Sequence, residues 1–287
     1  MKMNGQELKA ILFDVDGSVA PQGGSVSPEV AKIFRGLKEL GIKMGPATGK
    51  NADYCRGMAM GLSIGTWSFV IAETGAQFIE TTHEGPPPAF RFHRMAGEAG
   101  DLALFRRLIQ LDSLQRTFLL RKTVQKFRPE MKEEIISIFP ADEHVERSKE
   151  WLEFFDEVVK VYDLNLVLKR HSDGCIDVIP AGVTKQLGVQ KVCQLIGCTP
   201  KQILTVADGV NDEELVTGTT PIAVANAVSR IKEFALAERG FVAKFNDGKG
   251  FAQGLHHFAG EGMWGEELGV KIARLVGEVF PEFLSMN

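Results

Sequence analysis

Hydrophobic positions along the chain follow two rhythms that alternate. The apolar run 8–13 (L-K-A-I-L-F) stops at an Asp-Val-Asp-Gly turn and predicts a buried strand. Ser27-Pro28-Glu29 then carries the signals of a helix start: a capping serine, proline at the first helical position and an acid in the first turn. Val30, Ile33, Phe34, Leu37 and Leu40 follow at helical spacing, and Gly41 ends the run. The pattern predicts a second strand over 42–46, a second helix over 51–60 and a third strand over 68–72. Strands alternating with helices imply parallel βαβ units, hence a doubly wound, Rossmann-like α/β sheet.

The rhythm changes after about residue 80. The segment 81–88 (T-T-H-E-G-P-P-P) reads as a linker, polar and then stiffened by proline. The stretch that follows mixes helices predicted near 97–111 and 143–159 with strand-like runs at 134–139, 165–169 and 175–179. Pro180-Ala181-Gly182 closes it. The α/β alternation then resumes with helix 185–196, strand 203–207, short helix 213–216, strand 222–224 and helix 228–237. The expected organisation is a discontinuous α/β core, 1–80 with 184–287, split by an inserted α+β cap domain, 81–183. Leu268, Ile272, Leu275, Val276, Val279 and Phe280 form one apolar stripe near the end of the chain, a helix expected to pack on the core.

Composition narrows the picture. A chain of 287 residues fits one large or two modest domains, at roughly 150 residues each. Thirty-three basic against 37 acidic side chains give a net charge of −4, which argues against a general nucleic-acid binder. Cys55, Cys175, Cys193 and Cys198 form no C-x-x-C pair, so they read as thiols of a reducing compartment rather than as a zinc site. No apolar run approaches the ~18 residues of a membrane span. The first residues (M-K-M-N-G-Q-E) carry no apolar signal segment, so the expectation is a cytoplasmic protein.

Four segments carry candidate chemistry, each at or just past a predicted strand end, where such sheets place their sites. The first is Asp14-Val15-Asp16-Gly17-Ser18. Two carboxylates this close raise each other's pKa unless a cation or a division of labour relieves them. Phosphoryl transfer supplies both: Asp14 as nucleophile beside a metal, and Asp16 as the acid for the leaving oxygen and then the base for water. The plain alternative is a solvated turn. An EF-hand is excluded, because the sixth and twelfth positions counted from Asp14 are Val19 and Ser25.

The second segment is Ala47-Thr48-Gly49-Lys50, whose hydroxyl and amides suit a phosphate at the start of a helix. It is not a P-loop, because only three residues separate Gly45 from Gly49 and Asn51 follows Lys50. The third is Lys185, a surface lysine or, at this hinge, the cation for Asp14 and phosphate. The fourth is Asp208-Gly209-Val210-Asn211-Asp212. Asp14, Asp208 and Asp212 brought together call for a divalent cation, and magnesium fits their oxygen ligands.

These segments resemble the motifs of the haloacid-dehalogenase-like superfamily of phosphohydrolases. Asp14-Val15-Asp16-Gly17 is similar to its first motif, Thr48-Gly49 to its second, Lys185 to its third and Asp208–Asp212 to its fourth. Val224-Ala225-Asn226-Ala227 resembles the segment after the fourth motif, and the insertion resembles the class-two, subclass B α+β caps of sugar-phosphate phosphatases. Lys50, Ala207 and Ser18 depart from the usual arginine, glycine and threonine. The resemblance implies catalysis by Asp14 and Asp16, magnesium held by Asp14, Asp16, Asp208 and Asp212, and substrate phosphate contacted by Thr48, Gly49, Lys185 and Asn211. The substrate would be a small, sugar-like phosphate monoester, with neither nucleic acid nor membrane as partner. His171, Ser172, Asp173 and above all Asp177, which interrupts an apolar run, are the expected specificity groups of the insertion. A phosphomutase, or a regulator that binds without turnover, is the alternative on the same scaffold.

Overall fold

Ala10, Ile11, Leu12 and Phe13 are all fully buried. A strand buried on both faces belongs inside a sheet covered by helices. That strand is β1 (Ala10–Phe13), and the chain continues with α1 (Pro28–Glu39), β2 (Lys43–Pro46), α2 (Ala52–Gly61), β3 (Phe69–Ala72), β4 (Gln77–His83) and β5 (Ala89–Arg94). Then come α3 (Gly100–Gln110), β6 (Phe127–Glu130), β7 (Ile136–Pro140), α4 (Ser148–Val161), β8 (Leu166–Arg170) and β9 (Ile176–Pro180). The last stretch holds α5 (Lys185–Ile196), β10 (Ile203–Ala207), α6 (Glu213–Val216), β11 (Thr220–Ala223), α7 (Ser229–Ala237), β12 (Phe241–Val242), α8 (Asp247–Gly260) and α9 (Glu266–Val279). The structure is a computed structural model and describes residues 7–85, 88–95, 100–110, 127–130, 132–140, 145–146, 148–171 and 174–285.

Two compact units divide the chain: Met1–His93 with Thr184–Asn287, and Arg94–Val183. The first is an α/β unit around a parallel sheet of order β12-β11-β10-β1-β2. Phe13 stands level with Val206 on one side and with Pro46 on the other. From β1 the chain winds outward through β2, and from β10 it winds the other way through β11 and β12. The reversal therefore falls between β1 and β10, the position where open α/β sheets bind ligands. The bridge Ala47–Ile71 carries the sheet on to β3, and β3, β4 and β5 form a second sheet. The end of β4, expected as the start of a linker, and β5 as far as His93 thus lie with the first unit.

Ser27 caps α1 by accepting from the Val30 N–H, and Ile33, Phe34 and Leu37 bury the apolar face read from the sequence. Phe34 meets Phe13, Trp67 and Phe251 at ring distances of 4.8, 5.5 and 5.4 Å. Aromatic pairs at such separations add ~0.5–1.5 kcal/mol each beyond area burial. The rings anchor the last residue of β1, one position before Asp14.

The second unit is α+β. Its sheet has the order β6-β7-β9-β8, antiparallel throughout. Phe105 of α3 and Trp151 and Phe155 of α4 pack with Ile136, Ile138, Ile176 and Val178 of the sheet.

β2 and β3 approach so closely that a Cβ on Gly45 would lie 1.7 Å from the Phe69 carbonyl oxygen. Gly57, exposed within α2, has nothing within 4 Å of such a carbon. Gly45→Ala should therefore cost about 1–3 kcal/mol or more, and Gly57→Ala should gain about 0.5–1 kcal/mol. Urea unfolding of the two variants measures both signs.

Candidate active site

The backbone ladder between β1 and β10 extends one step past β1, with Asp14 N–H donating to Val206 O at 3.0 Å. The chain then folds back on itself. The Val15 carbonyl accepts from Ser18, Val19 and Ala20 N–H at 3.3, 3.2 and 3.1 Å, and Gly17 N–H donates to Ala20 O at 2.7 Å. Gly17 has φ +79°, and a Cβ there would lie 2.3 Å from Asp208 Oδ2. Only glycine suits both demands. Ser18 Oγ donates to Asp208 Oδ1 at 2.9 Å, fastening this turn to the end of β10.

Asp14, Asp208 and Asp212 converge: each offers an oxygen, and these oxygens lie within 4.8 Å of one another. Lys185, the first residue of α5 and fully buried, donates to Asp14 Oδ1 at 2.8 Å and to Asp212 Oδ1 at 2.5 Å. Asp212 Oδ2 accepts from Asp208 and Gly209 N–H at 3.4 and 3.2 Å, which turns the carboxylate inward. Burial above all, then the charge of Asp212 and Asp208, pushes Asp14 up to about 8 against the pull of Lys185. Burial and Asp212 push Asp208 up to about 6. Lys185 is held above its ordinary range, because Asp14 and Asp212 outweigh the penalty of burial. Three acids around one ammonium leave an excess of negative charge. An oxygen-ligated divalent cation fits that donor set.

Asp16 is not in this group. Its Oδ1 accepts from Gly23 N–H at 3.1 Å and its Oδ2 pairs with Lys50 Nζ at 3.0 Å. The turn at Gly17 directs the second carboxylate toward Lys50, whose ammonium also lies over the Tyr54 ring. Thr48 follows β2 and is buried. Its N–H donates to Ile71 O and its hydroxyl accepts from Lys50 N–H at 3.3 Å. Gly49 is half-buried beside it, and Asn211 is half-buried on the turn that ends at Asp212.

Asp177 belongs to the second unit, on β9. It is only 4% exposed, and its carboxylate is engaged by Ser137, by His171 Nε2 at 2.8 Å and by Cys175. Burial works against its charge, yet His171, Lys132 and Ser137 hold it below the usual carboxylate range. Ser172 and Asp173 lie outside the described residues.

One element escaped the sequence reading. Glu73, Thr74 and Gly75 are consecutive left-handed residues, with φ of +49°, +60° and +98°. Glu73 N–H donates to Lys50 O and Thr74 N–H to Thr48 O, so this strained turn braces the Thr48 loop. Its only signal was an acid and a glycine straight after an apolar strand.

The family model of the haloacid dehalogenase-like hydrolases matches residues 105–255, just over half of the chain. A 5-amino-6-(5-phospho-D-ribitylamino)uracil phosphatase of Bacillus subtilis is 24% identical over 88% of this chain and 96% of its own length. A phosphoglycolate phosphatase of Methanococcoides burtonii is 26% identical over 89% of this chain and 99% of its own. Among solved structures, a Thermoplasma acidophilum protein superposes with a TM-score of 0.65 at 15% identity, covering 90% of this chain and all of its own, a likeness of fold.

The burial of Asp14 among these charges has a measurable consequence. Folded Asp14 keeps its proton up to about 8, whereas an unfolded aspartate loses it near 4. The folded state therefore binds more protons across that window, and stability falls as pH rises through it. In chelator, Tm should drop between about pH 6 and pH 8, and magnesium should flatten the slope. Scanning calorimetry with and without the metal reads both.

Proposed function

We propose, from the premise that the chain belongs to the haloacid dehalogenase-like hydrolases, that it is a phosphatase of small, sugar-like phosphate monoesters. The observation that carries this reading is the fully buried Lys185 bridging Asp14 and Asp212, with Asp208 within reach. The names of the similar proteins, one acting on a phosphoribityl compound and one on phosphoglycolate, support the substrate class.

In the reaction, a carboxylate oxygen of Asp14 attacks phosphorus and the bond to the leaving oxygen breaks. Asp16 gives its proton to that oxygen, so the product leaves as an alcohol and Asp14 carries an acyl phosphate. Water then attacks the phosphorus of Asp14-phosphate, Asp16 takes the water proton, and the carboxylate of Asp14 is restored with release of phosphate. Lys50, beside Asp16 Oδ2, holds that carboxylate out of the cluster of acids, so the proton carrier and the nucleophile remain separate groups. Thr48, Gly49 and Asn211 supply hydroxyl, amide and carboxamide contacts to the phosphate, and Lys185 offsets its charge. Asp14, Asp208 and Asp212 would hold a magnesium ion, which supplies charge neutralisation at the phosphate oxygens when bound.

A panel of phosphorylated metabolites with free-phosphate detection tests the reading. Release of phosphate in magnesium and none in excess chelator is expected. Conversion of sugar phosphates into isomers without phosphate release would replace a hydrolase with a mutase.

Asp14→Asn should abolish turnover while the chain stays folded. Asp16→Asn should slow it by roughly 10²–10⁴-fold, less for nitrophenyl phosphate, whose leaving group needs little protonation. Phosphate trapped on any residue but Asp14 overturns the assignment.

A further inference from the structure

The turn 14–20 is compact, because three N–H groups close on the single carbonyl of Val15. Such a turn moves as a body. β1 fixes one end of it, and the Ser18 hydroxyl on Asp208 fixes a second point. The Asp16 carboxylate is held by Gly23 N–H and Lys50, and Val15, Val19 and Ala20 are buried in the core. The backbone between Asp16 and Ser18 has a tie of its own at Gly17: its carbonyl accepts from Asn226 Nδ2 at 2.6 Å, across 209 residues of chain.

Asn226 is itself fixed. Its Oδ1 accepts from Asp247 N–H at 2.9 Å. A carbonyl can only accept and an amide N–H can only donate, so the two contacts define which end of the carboxamide is which. Asp247 reaches this position with φ +46°, a left-handed conformation that is costly for a residue other than glycine. The flanking backbone is tied as well. Val228 N–H donates to Asp208 O and Ala225 N–H to Phe245 O, each at 2.9 Å. The chain of contacts thus runs from the turn bearing Asp14 and Asp16, through Asn226, to the residue that follows β10.

We infer that Asn226 is a positioning residue for the acid–base turn, holding the Gly17 carbonyl so that Asp16 keeps one fixed placement relative to Asp14 and Asp208. This rests on the phosphatase reading for its effect on turnover, but not for its effect on the turn. A tie that fixes Asp16 acts on proton delivery to the leaving oxygen. Its loss should therefore be felt in kcat, and most with poor leaving groups.

Asn226→Asp keeps the size and the acceptor for Asp247 N–H, but turns a carboxylate oxygen toward the Gly17 carbonyl. Asn226→Ala removes both contacts. With phenyl phosphate and magnesium, either variant should lose kcat by roughly 10–100-fold, the scale for residues that orient catalytic groups. The loss on p-nitrophenyl phosphate should be smaller, with KM little changed for either ester. Hydrogen exchange read by mass spectrometry should quicken in peptides spanning 14–20 while the remainder of β1 and β10 keeps its protection. Unchanged exchange over 14–20 overturns the inference, as does an equal kcat loss on both esters or an effect on KM alone. Absence of phosphate release by the unaltered chain from both esters and from the metabolite panel would sink the phosphatase reading, and the exchange measurement would still decide whether Asn226 holds the turn. If the aspartate variant does not fold, the alanine variant carries both measurements.

Discussion

A buried ammonium shared by two carboxylates governs the architecture of this protein. Lys185 has no exposure, and Asp14 and Asp212 both reach it within hydrogen-bonding distance. Charges removed from water in this way are tolerated only when pairing and hydrogen bonds compensate their lost hydration. The rest of the unit meets that demand. The parallel register sets Phe13 level with Val206, so the residues that leave β1 and β10 leave at the same height. A slip of one residue would turn Asp14 to the opposite face of the sheet. The aromatic rings around Phe13 and the missing side chain at Gly45 hold β1, β2 and β3 in the alignment that this register requires.

Much of the fold was legible because its signals are local. Ser27-Pro28-Glu29 caps a helix where it was read, and Lys185–Ile196, Ile203–Ala207 and Glu213–Val216 keep the predicted bounds. What escaped the reading depends on proximity in three dimensions. α8 carries Gly248, Gly250, Gly254 and Gly260 and so looks like a poor helix. A Cβ on Gly248 would strike Val30, and one on Gly254 would strike Ile222, so these glycines record how closely the helix lies on its neighbours. The end of β4 read as linker because Thr81, Thr82 and His83 are polar, yet it lies in a sheet whose outer residues face water.

The candidate site divides along the same line. Carboxylates at strand ends are visible in a sequence, and Asp14, Asp208 and Asp212 do converge. Where a carboxylate points depends on the turn that follows it. Asp16, two residues from Asp14, is drawn to Lys50 and the Gly23 N–H. Asp177 interrupts an apolar run because Ser137 and His171 await it inside the second unit, information that resides in other strands. Lys50 illustrates the converse. Its departure from the usual arginine is plain in the sequence, but its pairing with Asp16 is visible only in the structure.

Lys185 and Asp14 are 171 residues apart. During synthesis from the N-terminus, at roughly 5–20 residues per second, the carboxylate therefore exists for many seconds before its counter-charge is made. In that interval β1 has no β10 beside it, and one edge of a fully apolar strand stands open. The whole second unit is translated within the gap and must form without disturbing that edge. Pairing of β10 with β1 thus comes only after the second unit has been made, and β11 and β12 add to the sheet later still, so the growing chain stays exposed to strand pairing with neighbours until then.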